Sequence, residues 1–248
     1  MTAFGDIAYP DLEDLLAGER PVVLLLPLGA LEPHGPHAPL ATDTLISVGI
    51  CERAARQLEG DPEVRLLVLP PVPYGVTRYG AAFPGAVSIT ESTLRALVTE
   101  ICGSLAAQGL GRIVVVNNHL EPEQVRALRE VVTELGGGIR LFDPTRRAVA
   151  AELTEEFRAG AGHAGRYETS LVLAEDPGLV RRERMEGLES KMIDVPAAIA
   201  AGRTDFVAMG MDRAYSGAPA EATAEEGEGT FATLTELVIR LVREIAAC

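Results

Sequence analysis

The segment LEPHGPHAPLATD at residues 31–43 concentrates side chains that can bind a metal ion or transfer a proton. It contains two of the four histidines of the 248-residue chain, His34 and His37, together with the carboxylates Glu32 and Asp43. The segment directly follows the apolar run PVVLLLPLG, which is typical of a buried strand. Because ligands of open α/β sheets collect beyond the carboxyl ends of the strands, this position favours a functional site.

A second apolar run, RIVVV at residues 112–116, ends in the same kind of sequence. NNHLE follows it and carries His119 and Glu121, which are spaced i, i+2 like Glu32 and His34. Side chains two residues apart in an extended chain point to the same side. Each pair can therefore present an imidazole and a carboxylate to one pocket.

The remaining histidine, His163 in GHAGRYETS, has Glu168 five residues after it. A histidine beside a carboxylate is commonly a surface residue or a hydrogen-bonded core residue. Two matched pairs at strand ends favour a metal site, although spacing alone leaves both interpretations open. Imidazole and carboxylate donors without thiolates indicate Zn²⁺, Mn²⁺ or Fe²⁺ rather than Cu(I) or an iron–sulfur cluster. Asp43 could bridge two such ions, whose shared water would become hydroxide near neutral pH.

The spacing of apolar residues predicts the elements that position these side chains. Short continuous apolar runs indicate buried strands of a parallel sheet at residues 22–28, 65–69, 112–116 and 139–142. Helices are predicted at residues 44–58, 91–108 and 122–135, within 145–174, and at 230–247. The alternation of strands and helices predicts an α/β fold with a doubly wound sheet, in a single domain spanning residues 1–248.

Composition excludes several classes of function. The chain has 36 acidic and 22 basic residues, a net charge of −14, which argues against nucleic acid or an anionic membrane as a partner. Three scattered cysteines without a C-x-x-C pair argue against a disulfide framework. We find no signal peptide and no apolar stretch of about eighteen residues. We therefore expect a cytoplasmic protein without a membrane span.

Several longer segments resemble the creatininase (creatinine amidohydrolase) family, in the order in which that family has them. They are LPLGALEPHGPHAPLATDT, PPVPYGVTRYGAAFPGAVSIT, VVVNNHLE, GHAGRYETS and YSGAPAEATAEEGEG. The resemblance implies a three-layer α/β/α fold with a mostly parallel central sheet, and two divalent metal ions per subunit. It also implies hydrolysis of a non-peptide C–N bond in a small molecule, and a homo-oligomer, often a hexamer.

Carried over by position, the resemblance implies how the two ions would be held. Glu32 and His119 would bind one ion. His34 and Glu121 would bind the other, and Asp43 would bridge the pair.

The resemblance also implies roles around the ions. His163 would transfer protons, Glu168 would be a supporting carboxylate, and Glu121 could act as ligand, as base or as both. Side chains that could border the substrate are Arg78, Tyr79 and Arg166. In extended chain His37 would face away from His34, which favours a structural role over a ligand role.

These features predict hydrolysis of a cyclic amide or a formamide by a hydroxide that bridges two metal ions. Creatininase lines its substrate pocket with tryptophans, and this sequence has none, which argues against creatinine as the substrate. Two alternatives stay open: a peptidase of the same family that trims a modified peptide, and a metal-bound scaffold without catalysis. A two-metal phosphoesterase would call for more aspartate and asparagine ligands.

Overall fold

The centre of the molecule is a parallel four-stranded sheet, in a computed structural model that describes residues 3–247. The strands are β1 (Val22–Leu28), β2 (Arg65–Val68), β3 (Ile113–Asn117) and β4 (Ile139–Phe142). Their order in the sheet is β2-β1-β3-β4, and Leu24 of β1 lies opposite Ile113 of β3. The predicted strands are confirmed, although β2 ends one residue earlier and β3 lies one residue later than predicted.

Burial on both faces explains why the strand sequences are apolar without alternation. Every residue of β1 is buried. Val23 and Leu25 point into the core on one face of the sheet, and Leu24 and Leu26 point into the core on the other. Such a strand has no position that tolerates a polar side chain.

Helices connect the strands and cover both faces of the sheet. In chain order they are α1 (Tyr9–Ala17), α2 (Thr42–Gln57), α3 (Glu91–Ala106), α4 (Pro122–Leu135), α5 (Arg147–Ala150), α6 (Glu155–Arg158), α7 (Arg166–Glu175), α8 (Arg182–Met185), α9 (Val195–Ala200) and α10 (Ala224–Ala246). Short 3₁₀ turns lie at Phe4–Asp6, Pro177–Leu179 and Pro219–Glu221. Helices α2, α7 and α10 pack on one face, and α1, α3 and α4 on the other. The predicted three-layer α/β/α fold is confirmed.

Two helices begin earlier than their sequence patterns predict. Helix α2 begins at Thr42, which puts Asp43 in its first turn. Helix α10 begins at Ala224 rather than at residue 230. The hydroxyl of Thr223 accepts the backbone N–H of Glu226 at 3.1 Å and caps the helix, and acidic residues in a first turn interact favourably with the helix dipole.

The described cysteines and helices bear on two expectations drawn from composition, a chain without a disulfide framework and without a membrane span. Cys51 and Cys102 are buried in the cores on opposite faces of the sheet, and Cys248 lies outside the described residues. Among the helices of residues 3–247, none combines the length and the apolar character that a membrane span requires.

The strand order creates a crevice at the carboxyl ends of β1 and β3. From β1 the chain first adds β2 on one side, and then adds β3 and β4 on the other. At such a switch point the connections leave in opposite directions, so the space between the two strand ends stays open for a ligand. The segments after β1 and β3 both enter this crevice.

Candidate metal centre

Side chains from the segments after β1 and β3 meet in the crevice. Glu32, His34, Asp43 and His119 are all buried. His119 Nδ1 lies 3.1 Å from Glu32 Oε1 and 3.0 Å from Asp43 Oδ2. His34 Nε2 lies 3.1 Å from Asp43 Oδ1. Imidazole nitrogens and carboxylate oxygens at these separations could share a divalent cation.

The segment before and within α7 closes the cluster from the opposite side. Glu168 Oε2 lies 3.5 Å from His34 Nε2, and His163 Nδ1 lies 3.8 Å from Glu32 Oε1. The ring of His163 lies between those of His34 and Phe206, with centroid distances of 4.7 and 4.4 Å. The structure therefore brings together three segments that are far apart in sequence.

Among the described residues the potential ligand atoms form three overlapping groups of three, and two of these groups share the carboxylate of Asp43. One group is Glu32, Asp43 and His119, and another is His34, Asp43 and Glu168. Asp43 belongs to both, because its Oδ2 faces His119 and its Oδ1 faces His34. A further group joins His163 to Glu32 and His34. The arrangement could hold two ions with Asp43 between them.

The ligand groups differ from the predicted ligand sets at two carboxylates. Glu121, predicted as a ligand beside His34, belongs to none of the groups found in residues 3–247. Its oxygens accept the backbone N–H of Arg78 at 2.8 and 2.9 Å and that of Tyr79 at 3.1 Å. Glu168, predicted as a supporting carboxylate, stands beside His34 instead. Glu121 is thus bound to the backbone of residues 78 and 79, and Glu168 of α7 is the carboxylate 3.5 Å from His34 Nε2.

Each imidazole of the cluster is oriented by a backbone carbonyl. The pairs are His34 Nδ1 with Glu32 O at 3.1 Å, His119 Nε2 with Val76 O at 2.7 Å, and His163 Nε2 with Pro33 O at 3.0 Å. A carbonyl only accepts, so the ring nitrogen that faces it donates. The other nitrogen of a neutral ring then presents a lone pair to the cluster, as metal-binding histidines do.

Two carboxylates, those of Asp43 and Glu32, each present an oxygen to the cluster where a cation could bind. Asp43 Oδ2 is buried and, despite its 3.0 Å separation from His119 Nδ1, has no hydrogen-bond partner in the described part of the chain. Thr77 donates its hydroxyl to Glu32 Oε2 at 2.6 Å, which leaves Oε1 facing the cluster. Buried carboxylates are costly unless a positive charge compensates them. The donor set therefore fits a pair of divalent cations.

The side chains of the cluster shift one another's pKa values. Burial alone would lower the pKa of His34, but the carboxylates of Asp43 and Glu168 raise it to about 10. Burial raises the pKa of Glu168 to about 8 and that of Glu121 to about 7. Burial, together with the neighbouring His34, lowers the pKa of His163 to about 4. His163 is therefore neutral near pH 7.

A cavity of about 300 Å³ opens beside the cluster. Glu32, Asp43, His119 and Glu168 are among the residues that line it. Its apolar walls include Tyr79, Leu120, Phe157, Val195, Ile199 and Phe206. A mostly apolar cavity with a few convergent polar groups is typical of a small-molecule site.

Of the side chains predicted to border the substrate, Tyr79 lines the cavity and the two arginines do not. Arg78 lines a separate groove along α3. Arg166 forms ion pairs with Glu226 and, at 3.6 Å, with Glu221, on the surface formed by α7 and α10. These ion pairs place the Arg166 side chain among surface carboxylates rather than at the cavity.

Several residues of the site carry no motif that would predict them. Arg158 lines the cavity from the end of α6, and Phe206 packs on His163. Neither has a distinctive spacing to a histidine or a carboxylate. His37, by contrast, lies as predicted away from the ligand groups, with its Nε2 at 2.8 Å from Thr169 Oγ1.

Comparisons with known proteins show the family to which this chain is similar. The family model for creatininase (creatinine amidohydrolase) matches residues 5–242. The mycofactocin precursor peptide peptidase of Mycobacterium ulcerans (strain Agy99) is 33% identical over 225 residues, covering 89% of this chain and 84% of that protein. The creatinine amidohydrolase of Pseudomonas putida is 32% identical over 203 residues, covering 73% and 74%.

Solved structures of creatininase resemble the fold over almost its full length. A crystal structure of creatinine amidohydrolase (creatininase) has a TM-score of 0.76 and 26% identity, covering 98% of both chains. A manganese form of creatininase has a TM-score of 0.72 and 26% identity, with the same coverage. A mutant creatininase of the Zn–Zn type has a TM-score of 0.73 and 26% identity, covering 97% of this chain and 96% of that one.

Proposed function

Because the chain belongs to the creatininase family of metal-dependent hydrolases, we propose that it is an amidohydrolase that cleaves a C–N bond with the help of two divalent cations. The observation that carries this proposal is the position of Asp43, which lines the cavity and is shared between two groups of ligand atoms. A single structural ion would not need two complete groups.

The ligand groups suggest which residues hold each ion. Glu32, Asp43 and His119 would hold one ion, and His34 and Glu168 would hold the other together with the same aspartate. Their donors suit Zn²⁺, Mn²⁺ or Fe²⁺. When bound, such ions polarise an amide carbonyl and make water acidic enough to supply a nucleophile near neutral pH.

The protein's own side chains would move the proton that amide hydrolysis requires. The attacking water forms a bond to the carbonyl carbon and must lose a proton, and the leaving nitrogen must gain one. His163 Nδ1 faces the cluster, and its Nε2 is bonded to Pro33 O. The neutral ring accepts the proton at Nδ1 and delivers it to the nitrogen as the C–N bond breaks, a transfer that typically contributes 10²–10⁴-fold.

Glu121 is the alternative proton acceptor. It lines the cavity, and burial raises its pKa to about 7. Both of its oxygens already accept backbone N–H groups from residues 78 and 79, which favours a role in holding that loop.

Two substrate classes fit the proposal. A small cyclic amide or formamide fits the volume of the cavity, and the absence of tryptophan argues against creatinine. The identity of 33% to a mycofactocin precursor peptide peptidase favours, as a second candidate, the end of a modified peptide. In both classes an amide carbonyl would be attacked.

The decisive experiment measures bound metal and turnover on the same protein. The chain is loaded with Zn²⁺ or Mn²⁺, its metal content is determined by mass spectrometry, and it is assayed on cyclic amides, formamides and short peptides. We expect about two ions per chain and turnover on one class. Metal binding without turnover on any substrate would support the scaffold alternative instead.

Two matched variants test the assignment of the carboxylates. Glu168→Gln should lose an ion, whereas Glu121→Gln should keep both. Glu155→Gln, an exposed change on α6, serves as the control. If E121Q loses an ion and E168Q keeps both, Glu121 rather than Glu168 is the ligand that accompanies His34.

A further inference from the structure

The cavity beside the metal centre contains a cation that the proposed chemistry does not use. Arg158, the last residue of α6, is the one arginine or lysine among the described residues that line this cavity. Its Nη1 donates to Leu153 O at 2.9 Å, which ties the guanidinium to the protein. The described part of the chain gives it no carboxylate partner. Arg166, eight residues on, is instead engaged by Glu226.

Arg158 brings a positive charge to a cavity whose other charged or titratable lining residues in the described chain are carboxylates, histidines and a tyrosine. With a net charge of −14, the protein repels anions in general, so an anionic group of a ligand needs a local positive charge in order to bind. The planar guanidinium of arginine can donate two parallel N–H hydrogen bonds to the two oxygens of one carboxylate. Leu153 O accepts one N–H group of Arg158, so the other N–H groups of the guanidinium can donate to a ligand.

Apolar side chains line the cavity that Arg158 shares with the metal centre. Phe157, Ile199 and Phe206 line the cavity together with Arg158 and the ligand groups. A substrate that fills this cavity could place an amide at the ions, an apolar body against these side chains, and an anion at the guanidinium. Creatinine has neither the apolar body nor the carboxylate.

We propose that Arg158 determines specificity by binding a carboxylate of the substrate remote from the bond that is cleaved. The substrate class is then an amide with an apolar body and a free carboxylate. This inference rests on the proposed hydrolase function. Arg158 contacts no reacting atom, so its contribution is to substrate binding and not to the chemical step.

The kinetic test uses two substrates that differ in one charge, N-formyl-L-phenylalanine and its carboxamide, on the metal-loaded protein. The wild type should prefer the carboxylate. Arg158→Gln should raise KM for the carboxylate about tenfold to a hundredfold, with kcat within about twofold, and leave the carboxamide unaffected. Arg158→Lys should recover part of the loss because it keeps the charge without the planar fork.

The control is Arg147→Gln, which removes the same charge from α5, where the side chain is exposed and does not line the cavity. Unchanged kinetics in R147Q exclude a general effect of net charge. If R158Q and R147Q raise KM equally, direct binding by Arg158 is refuted. Thermal unfolding of each variant verifies that it is folded.

A binding measurement separates failure of this inference from failure of the proposed function. Calorimetric titration of the zinc-loaded protein compares N-acetyl-L-phenylalanine with its carboxamide and requires no turnover. Tighter binding of the carboxylate that disappears in R158Q supports the inference even if no amide is cleaved, in which case the hydrolase proposal alone fails. A preference that persists in R158Q, as direct binding to zinc would give, or no preference in the wild type, overturns the inference alone.

Discussion

The metal centre has two halves that are held in place by different means. The sheet half consists of Glu32, His34, Asp43 and His119, which follow the central strands β1 and β3. The loop half consists of His163 and Ala164, on the segment that leads into α7, and of Glu168 in the first turn of α7. The sheet half lies directly on the buried sheet, whereas the loop half depends on contacts with remote parts of the chain.

The loop half is held by a buried carboxylate and a facing segment. Glu156 on α6 accepts the backbone N–H of Tyr167 at 2.8 Å and that of Ala218 at 2.7 Å. Ser216 donates its backbone N–H to His163 O at 2.8 Å. Gly165 fits only because it has no side chain, since a Cβ would lie 2.5 Å from Ser216 O.

Backbone strain is also concentrated in the loop half. Ala164 has a φ of 49°, a conformation that L residues other than glycine rarely adopt. Its N–H donates to Glu168 Oε2 at 2.7 Å, so the unusual backbone orients a carboxylate of the candidate metal centre. The comparison teaches that one half is preformed by the sheet, while the other half is positioned by long-range hydrogen bonds and can be disturbed separately.

The largest effect should come from the residue that both ligand groups share. Asp43→Asn removes the charge that faces His34 and His119, so we expect loss of both ions and a fall in turnover of at least about a thousandfold. Metal analysis and single-substrate kinetics measure this. Asp11→Asn on the exposed face of α1 is the control. Retention of one full ion by D43N would show that the halves bind metal independently.

A smaller effect should follow when only the support of the loop half is removed. Glu156→Gln leaves one of two backbone N–H groups facing an amide NH₂, which should cost about 1–3 kcal/mol of the free energy of unfolding. The displaced His163 and Glu168 should lower kcat and remove one ion, while the group containing His119 keeps its ion. Urea denaturation and metal analysis test this, with Glu155→Gln as the neighbouring control.

Equal loss of both ions in E156Q would mean that the sheet half needs the loop half for its shape, and the comparison would fail.

A pH-dependent prediction concerns His37, whose ring is bonded to Thr169 in α7 and so connects the two halves. Burial lowers its pKa to about 4, below the ordinary value of 6.5. The stability contributed by the neutral ring is therefore present above about pH 6.5 and is lost as the pH falls toward 4. In chelator-treated protein, His37→Asn should reduce the loss of unfolding free energy between about pH 7 and pH 5 by about 2 kcal/mol. Identical pH profiles of urea denaturation would contradict this.

The smallest effect should come from relieving the strain at Ala164. Glycine adopts a positive φ without penalty, which offsets its larger entropy loss on folding, so Ala164→Gly should raise the unfolding free energy by roughly 0.5 kcal/mol. Ala96→Gly, in an exposed helical position of α3, should instead lower it by about 1 kcal/mol. Thermal denaturation of both compares them, and destabilisation by A164G would refute the strain.

Local patterns in the sequence predicted the sheet half well. Continuous apolar runs identified the strands to within one residue, because burial on both faces leaves no polar position to blur the pattern. Thr90, a residue type common at helix caps, directly precedes the apolar pattern of α3, and its hydroxyl accepts the N–H of Thr93 at 3.1 Å. Glu32, His34 and His119 could be placed together because the ends of neighbouring parallel strands lie at one edge of the sheet.

The start of α10 was less predictable because the acidic segment before residue 230 has the composition of a solvated loop. In the structure this segment is the first part of the helix, which Thr223 caps. Arg158 was not predictable at all, because a lone arginine at the end of a four-residue helix has no periodicity or motif. Its importance arises from its place on the cavity wall.

The amino-acid sequence by itself determined the parallel sheet, the helices on its two faces and the type of donors at the carboxyl ends of β1 and β3. These properties depend on residue types and on spacings of a few positions. Only the tertiary structure decided that Glu168 stands beside His34 while Glu121 is engaged by the backbone of residues 78 and 79. That exchange depends on where segments more than forty residues apart dock on each other, and the packing of the whole chain sets those positions.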